Sequence, residues 1–128
     1  MARRQKRSVT PRIRARVWVE IDGVQAISES AADLLEQIVA CGSLSQAARR
    51  LRFSYRRAWL LLDGLNRRWP RPLALTATGG VRGGGSRVTE QGVAVLSAYR
   101  AMQIEVEALL DRQSGHFRRL ASRSAESA

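Results

Sequence analysis

The chain has 128 residues and a net charge of +11, and Lys6 is the one lysine among its 22 basic residues. That length supports one domain with tails rather than two cores, and arginine suits a polyanionic partner because its guanidinium fork pairs bidentately with phosphate and guanine. A lone Cys41 and a lone His116 exclude a disulfide framework or Cys-rich metal site, and no apolar stretch suits a signal peptide or a membrane span.

The charge is segregated. Residues 1 to 16 carry seven basic side chains and no acid, from Arg3 to Arg16. Residues 17 to 48 hold only acids, and from Arg49 to Arg87 ten arginines face a single acid, Asp63. Such clustering is an electrostatic footprint for nucleic acid.

Residues 1 to 11 read as a basic, disordered arm ending in Thr10-Pro11. From Ile13 to Ile21 the alternation of apolar and polar residues predicts a half-buried strand. Asp22-Gly23 predicts a two-residue hairpin turn, because both positions need positive φ. Folding back there pairs Ile21 with Val24 and Val19 with Ala26 on the buried face, and it sets Trp18 opposite Ile27 on the outer face. Ser28 or Ser30 can cap the next helix, whose stripe is Ala31, Leu34, Leu35, Ile38 and Cys41; Cys41 itself reads as a small buried hydrophobe.

Ser43 with Gln46 forms a capping box after the helix-ending Gly42. Leu44, Ala47, Ala48 and Leu51 then make one short helix. Arg52-Phe53 breaks it, Ser54 caps the following helix, and Ala58, Leu61, Leu62 and Leu65 form its stripe. Two short amphipathic helices joined by so tight a turn predict a helix-turn-helix. Ser45, Gln46 and Arg49 on the first helix, and Ser54, Tyr55, Arg56 and Arg57 opening the second, are the candidate DNA-binding residues there. Trp59 is expected to pack in the core.

Trp69-Pro70-Arg71-Pro72 ends the reader helix. Residues 73 to 78 and 86 to 89 predict a strand pair around a glycine-rich loop, a basic wing that adds Arg82, Ser86 and Arg87 to the candidate set. Gly80 and Gly85 have phosphate-loop spacing, but Ser86-Arg87 stand where Lys-Ser/Thr is required and a strand follows, so a nucleotide site is excluded. Thr89 caps a long helix running to about Arg112, roughly 34 Å at ~1.5 Å per residue. Its stripe includes Val93, Leu96, Tyr99, Met102, Val106, Leu109 and Leu110. It exceeds what the small core can cover, so a partner is expected on it. Gly115 is expected to stop it, and residues 113 to 128 to form a flexible tail. Asp63 has no second acid at helical spacing for acid–base work; no catalytic centre, metal site or cofactor is expected.

Gly42-Ser-Leu-Ser-Gln-Ala-Ala, Ser54-Tyr-Arg-Arg-Ala-Trp59, Asn66, Pro72-Leu73, Ala77-Thr-Gly-Gly80, Gly83-Gly-Gly-Ser-Arg-Val-Thr89 and Gly92 together resemble the N-terminal domain of the ModE family of molybdate-responsive bacterial repressors, within the wider LysR-like winged-helix group. The resemblance runs from about position 30 to 105. It implies a homodimer joined through the long helix and the N-terminal element, with DNA contacted by the helix after Ser54 and by the wing. Leu75-Thr76 depart from the family's usual Glu-Arg at the wing base. The family's molybdate-binding domains lie C-terminal to the resembling region, so the resemblance does not carry oxyanion sensing over to this chain, and whether an effector is sensed stays open.

The predicted fold class is therefore mostly α with small β (α+β): a winged helix-turn-helix over residues 12 to 112, with an N-terminal hairpin and a long C-terminal dimerisation helix. Double-stranded DNA and a second copy of the chain are the expected partners, in the cytoplasm at the nucleoid. Trp18, Ile27, Tyr99, Met102, Val106, Leu109 and Leu110 are the expected dimer contacts. The function expected is sequence-specific transcriptional regulation. The alternatives are a nonspecific architectural DNA binder and a protein-interaction module that keeps the fold.

Overall fold

Three serines and two glycines punctuate the chain. The computed structural model describes residues 10–77 and 85–126. A hairpin of β1 (Val19–Ile21) and β2 (Val24–Ile27) leads into α1 (Glu29–Cys41), α2 (Leu44–Arg50) and α3 (Tyr55–Arg68). A second hairpin, β3 (Ala74–Thr76) with β4 (Ser86–Val88), precedes α4 (Glu90–Glu126). Both hairpins are antiparallel and separate. The chain divides into two compact units, Arg16–Met102 and a second whose described residues are 10–15 and 103–126.

Each core helix starts on a serine whose hydroxyl accepts an orphan backbone N–H. Ser28 Oγ accepts from Ala31 N, Ser43 Oγ from Gln46 N and Ser54 Oγ from Arg57 N. Gly42 closes α1 at φ 67°, and its N–H donates to Ile38 O at 2.8 Å. Ile27, Leu34, Leu35, Ile38 and Leu73 are the largest fully buried side chains, so the core lies among β2, α1, α3 and the entry to the wing. Ala47, Ala48, Ala58, Leu62 and Leu65 complete it from the helix-turn-helix.

The turn at Asp22 (φ 53°) and Gly23 (φ 77°) is as expected, but the strands around it are shorter. Residues 10–18 form no strand. Ser28 is committed to capping α1, so β2 ends at Ile27 and offers earlier residues nothing to pair with. A bulge between Val19 and Glu20 sets Val19, rather than Trp18, opposite Ile27. One extra residue turns every later side chain to the other face. Ile27 accordingly lies in the core at 1% exposure, while Trp18 stays on the surface with its indole N–H on Glu20 Oε1 at 3.0 Å.

α4 differs most from expectation. It passes straight through Gly115 and continues to Glu126, because a single mid-helix glycine costs only ~1 kcal/mol against alanine when its neighbours are helix formers. Residues 113–126 thus belong to a helix rather than a tail. The Ser114 hydroxyl, nearly buried, accepts from Ile13 N at 3.3 Å. Tyr99, expected at a dimer interface, is buried in the core; its hydroxyl donates to Val17 O at 2.7 Å. Burial and the nearby Glu29 carboxylate push its phenol pKa up. Met102 is half-buried against the same core.

The start of α4 is wedged against the wing. Thr89 caps it, accepting from Gly92 N at 3.1 Å while its hydroxyl donates to Pro72 O at 2.7 Å. A Cβ at Gly92 would overlap the Leu73 carbonyl oxygen and come within 2.6 Å of Val88 Cγ1. Gly92→Ala is therefore expected to cost about 1–3 kcal/mol. Urea unfolding checks this: the midpoint should fall at unchanged slope, and an unmoved midpoint would mean the helix start shifts freely.

Candidate nucleic-acid interface

The turn between α2 and α3 is Leu51-Arg52-Phe53. Leu51 N–H donates to Ala47 O, Arg52 takes a left-handed φ of 58°, and Phe53 N–H reaches back to Ala48 O at 2.8 Å. That reversal lets Ser54 leave in an extended conformation and start α3 at once. Ala58, Leu62 and Leu65 bury the inner side of α3.

Positions on a helix step by about 100°. Arg56 and Leu60 each lie two residues from the buried Ala58, so both point to the opposite, outer side. Arg57 and Trp59 are its immediate neighbours and occupy the two flanks. The first turn of α3 contains no acid. Tyr55 is 57% exposed, and Arg56, Arg57 and Ser54 are exposed as well. The Arg57 guanidinium stacks over the Phe53 ring at 4.0 Å, which fixes its direction. Arg56 makes no hydrogen bond or ion pair to the described residues. Ser45, Gln46 and Arg49 are exposed on α2, beside this surface.

Trp59 corrects expectation: it is 49% exposed rather than packed in the core, and Leu60 is 52% exposed. Four apolar residues in a row, Trp59 to Leu62, cannot all share one helical face. That run was the signal available in the sequence, and it marks Leu60 and Trp59 as exposed residues of this surface that stripe-matching misses. Arg52 is a further exposed cation of the turn, hidden from sequence reading by its role as a break.

In the wing, Arg87 is exposed but Ser86 is buried, contrary to its place in the candidate set. Its hydroxyl hydrogen-bonds Thr76 Oγ1 across the strand pair at 3.1 Å, and its N–H donates to Gly42 O at 2.9 Å. Arg82 lies outside the described residues. The wing root is further held by Asn66, whose amide oxygen accepts from Leu73 N (2.8 Å) and Ala74 N (3.2 Å) while its NH2 donates to Ala74 O (2.9 Å).

Three acids of α1 and α3 are held in ion pairs. Asp33 and Glu36 on α1 each take the Arg100 guanidinium at 2.8 Å. Burial opposes that charge, but the two carboxylates outweigh it and hold the Arg100 pKa above the usual arginine value. Asp63 pairs with Arg67 one turn along α3 at 3.0 Å. Arginines therefore dominate the exposed end of α3, and no cluster of metal-ligating side chains occurs among the described residues. Nor is any described helix long and apolar enough to cross a membrane.

Two packed helices presenting an acid-free, cationic first turn, flanked by a two-stranded wing, define a winged helix-turn-helix. In sequence the chain is ModE-like. It is 38% identical over 103 residues to the molybdenum transport protein ModE of Azotobacter vinelandii, covering 80% of this chain and 38% of that protein. It is 36% identical over 66 residues to the DNA-binding transcriptional dual regulator ModE of Escherichia coli (strain K12), covering 52% of this chain and 25% of that one. The chain thus spans well under half the length of these relatives. No family model matches it. In fold it resembles a mutant MepR from a multidrug-resistant S. aureus clinical isolate, with a TM-score of 0.54 at 16% identity, covering 79% of this chain and 78% of that one.

Proposed function

We propose that this chain is a sequence-specific DNA-binding transcriptional regulator that acts as a homodimer. The observation that carries the reading is the first turn of α3, where Ser54, Tyr55, Arg56 and Arg57 stand exposed with no acid among them. In helix-turn-helix proteins the N-terminal residues of the second helix enter the major groove. The regulator names of the ModE relatives support the same assignment. Molybdate sensing is no part of the proposal. The test is selection of bound duplexes from a random pool, followed by affinity against an unrelated duplex at physiological salt. A specific reader keeps a ratio of ~10³ or more. Equal affinity for both duplexes would leave a backbone binder whose affinity collapses with salt.

The dimer contact assigned to α4 rests on its second half. Leu109, Phe117 and Leu120 are between 45% and 49% exposed, and with Val106 they share one side of the helix. Apolar side chains repeating along an exposed helix face suit a matching helix from a second copy. Leu109→Asp with Leu110→Asp is expected to give a monomer in sedimentation. An unchanged dimer would move the interface elsewhere, with Trp18 the next candidate.

A further inference from the structure

Leu60 and Trp59 are half exposed on α3, with one edge of Leu60 bordering Ala26 and Ser28. Leu60 sits one turn beyond Arg56 on the outer side of α3, directly opposite the buried Ala58. A shallow depression of about 440 Å³ is lined by Ser54, Arg56, Arg57, Leu60 and Leu61. Its rim is cationic, since the only acid on α3, Asp63, is engaged by Arg67. Its apolar centre lies between two guanidinium groups, Arg56 and Arg57, on the same turns of α3 as the exposed cations of the candidate DNA surface. It suits a polyanion that carries an isolated apolar group. In the major groove that group is the 5-methyl of thymine, which apolar side chains read directly.

We propose that Leu60, flanked by Trp59, forms an apolar reader of a thymine methyl group, placed one helical turn from Arg56, the arginine directed to contact guanine. The inference rests on the DNA-binding reading above and deepens it. Residues four apart on a helix lie ~6 Å apart along its axis, so the thymine falls within the same half-site as the guanine. Specificity at that base comes from a contact with no hydrogen bond, and it requires no charge on the protein.

The experiment uses the full chain and a duplex selected from a random pool. Each thymine is replaced in turn by deoxyuridine, which removes the methyl group and nothing else. The wild-type protein is expected to lose about fourfold in affinity at one or two positions, the value of burying one methyl-sized group. Leu60→Ala should bind the thymine and deoxyuridine duplexes equally at one of those positions. Trp59→Phe should retain most of the sensitivity. Because both side chains are exposed, the helical circular dichroism of either variant should match wild type. Insensitivity of the wild type to every replacement overturns the inference, as does a Leu60→Ala protein that keeps the full fourfold effect. A protein that selects no sequence at all overturns the DNA-reading proposal together with this one.

Discussion

Asn66→Ala should destabilise the domain more than any other single change to a partly exposed polar residue. The Asn66 side chain behaves like a short piece of strand, taking two N–H groups and giving one to a carbonyl at Leu73 and Ala74. Both residues are buried, at 0% and 1% exposure. Alanine orphans the two N–H groups where water enters poorly, and each such group costs ~1–3 kcal/mol, so the loss is roughly 2–6 kcal/mol. Asn66→Asp separates the parts of this argument. It keeps an acceptor for both N–H groups but turns a second oxygen towards the Ala74 carbonyl. It should therefore fall between wild type and alanine in urea midpoint. An aspartate variant as stable as wild type would show that the bond to Ala74 O adds nothing.

The two arginines of the first α3 turn should separate cleanly. Arg56→Ala is expected to remove discrimination at one base pair, worth ~1–3 kcal/mol if the contact is bidentate to guanine. Arg57→Ala should weaken binding to every duplex alike and reduce the salt slope by about one. The assignment comes from direction. Arg56 points away from the core with no partner among the described residues, whereas Arg57 lies on a flank with its guanidinium on Phe53. A guanidinium spread over a ring has its edges free for phosphate oxygens but cannot turn into the groove. Affinities measured against every single-base variant of a selected duplex decide the matter. Retention of the wild-type base preferences by both variants would take sequence reading away from this helix.

The local chemistry of this fold was readable because it is carried by single residues. Asp22-Gly23 demanded positive φ and has it, and Ser43 and Ser54 cap the helices they were expected to cap. What escaped depended on partners distant in sequence or on small shifts of phase. A one-residue bulge after Val19 moved Ile27 from the surface to the core. Tyr99 matched an apolar stripe equally well for an internal or an external neighbour, and only its hydrogen bond to Val17 O decides between them. Ser86 read as a polar wing residue, yet Thr76 opposite supplies a hydrogen-bond partner that lets it be buried. The candidate site was half legible: the arginines announced themselves by charge, whereas the exposure of Trp59 and Leu60 was concealed in a run of four apolar residues.

The carbonyl of Gly42 receives the amide of Ser86 at 2.9 Å, on the same residue whose left-handed conformation ends α1. This tie is backbone to backbone, so it is indifferent to which side chains the wing carries. A lineage can therefore rewrite the exposed positions of β3 and β4, Leu75 and Arg87 among them, without relocating the strands that present them. Address and message are held in different parts of the polymer here, the first in the main chain and the second in the side chains. Changes in what the wing touches can accumulate one residue at a time, with no compensating change in the helices beneath.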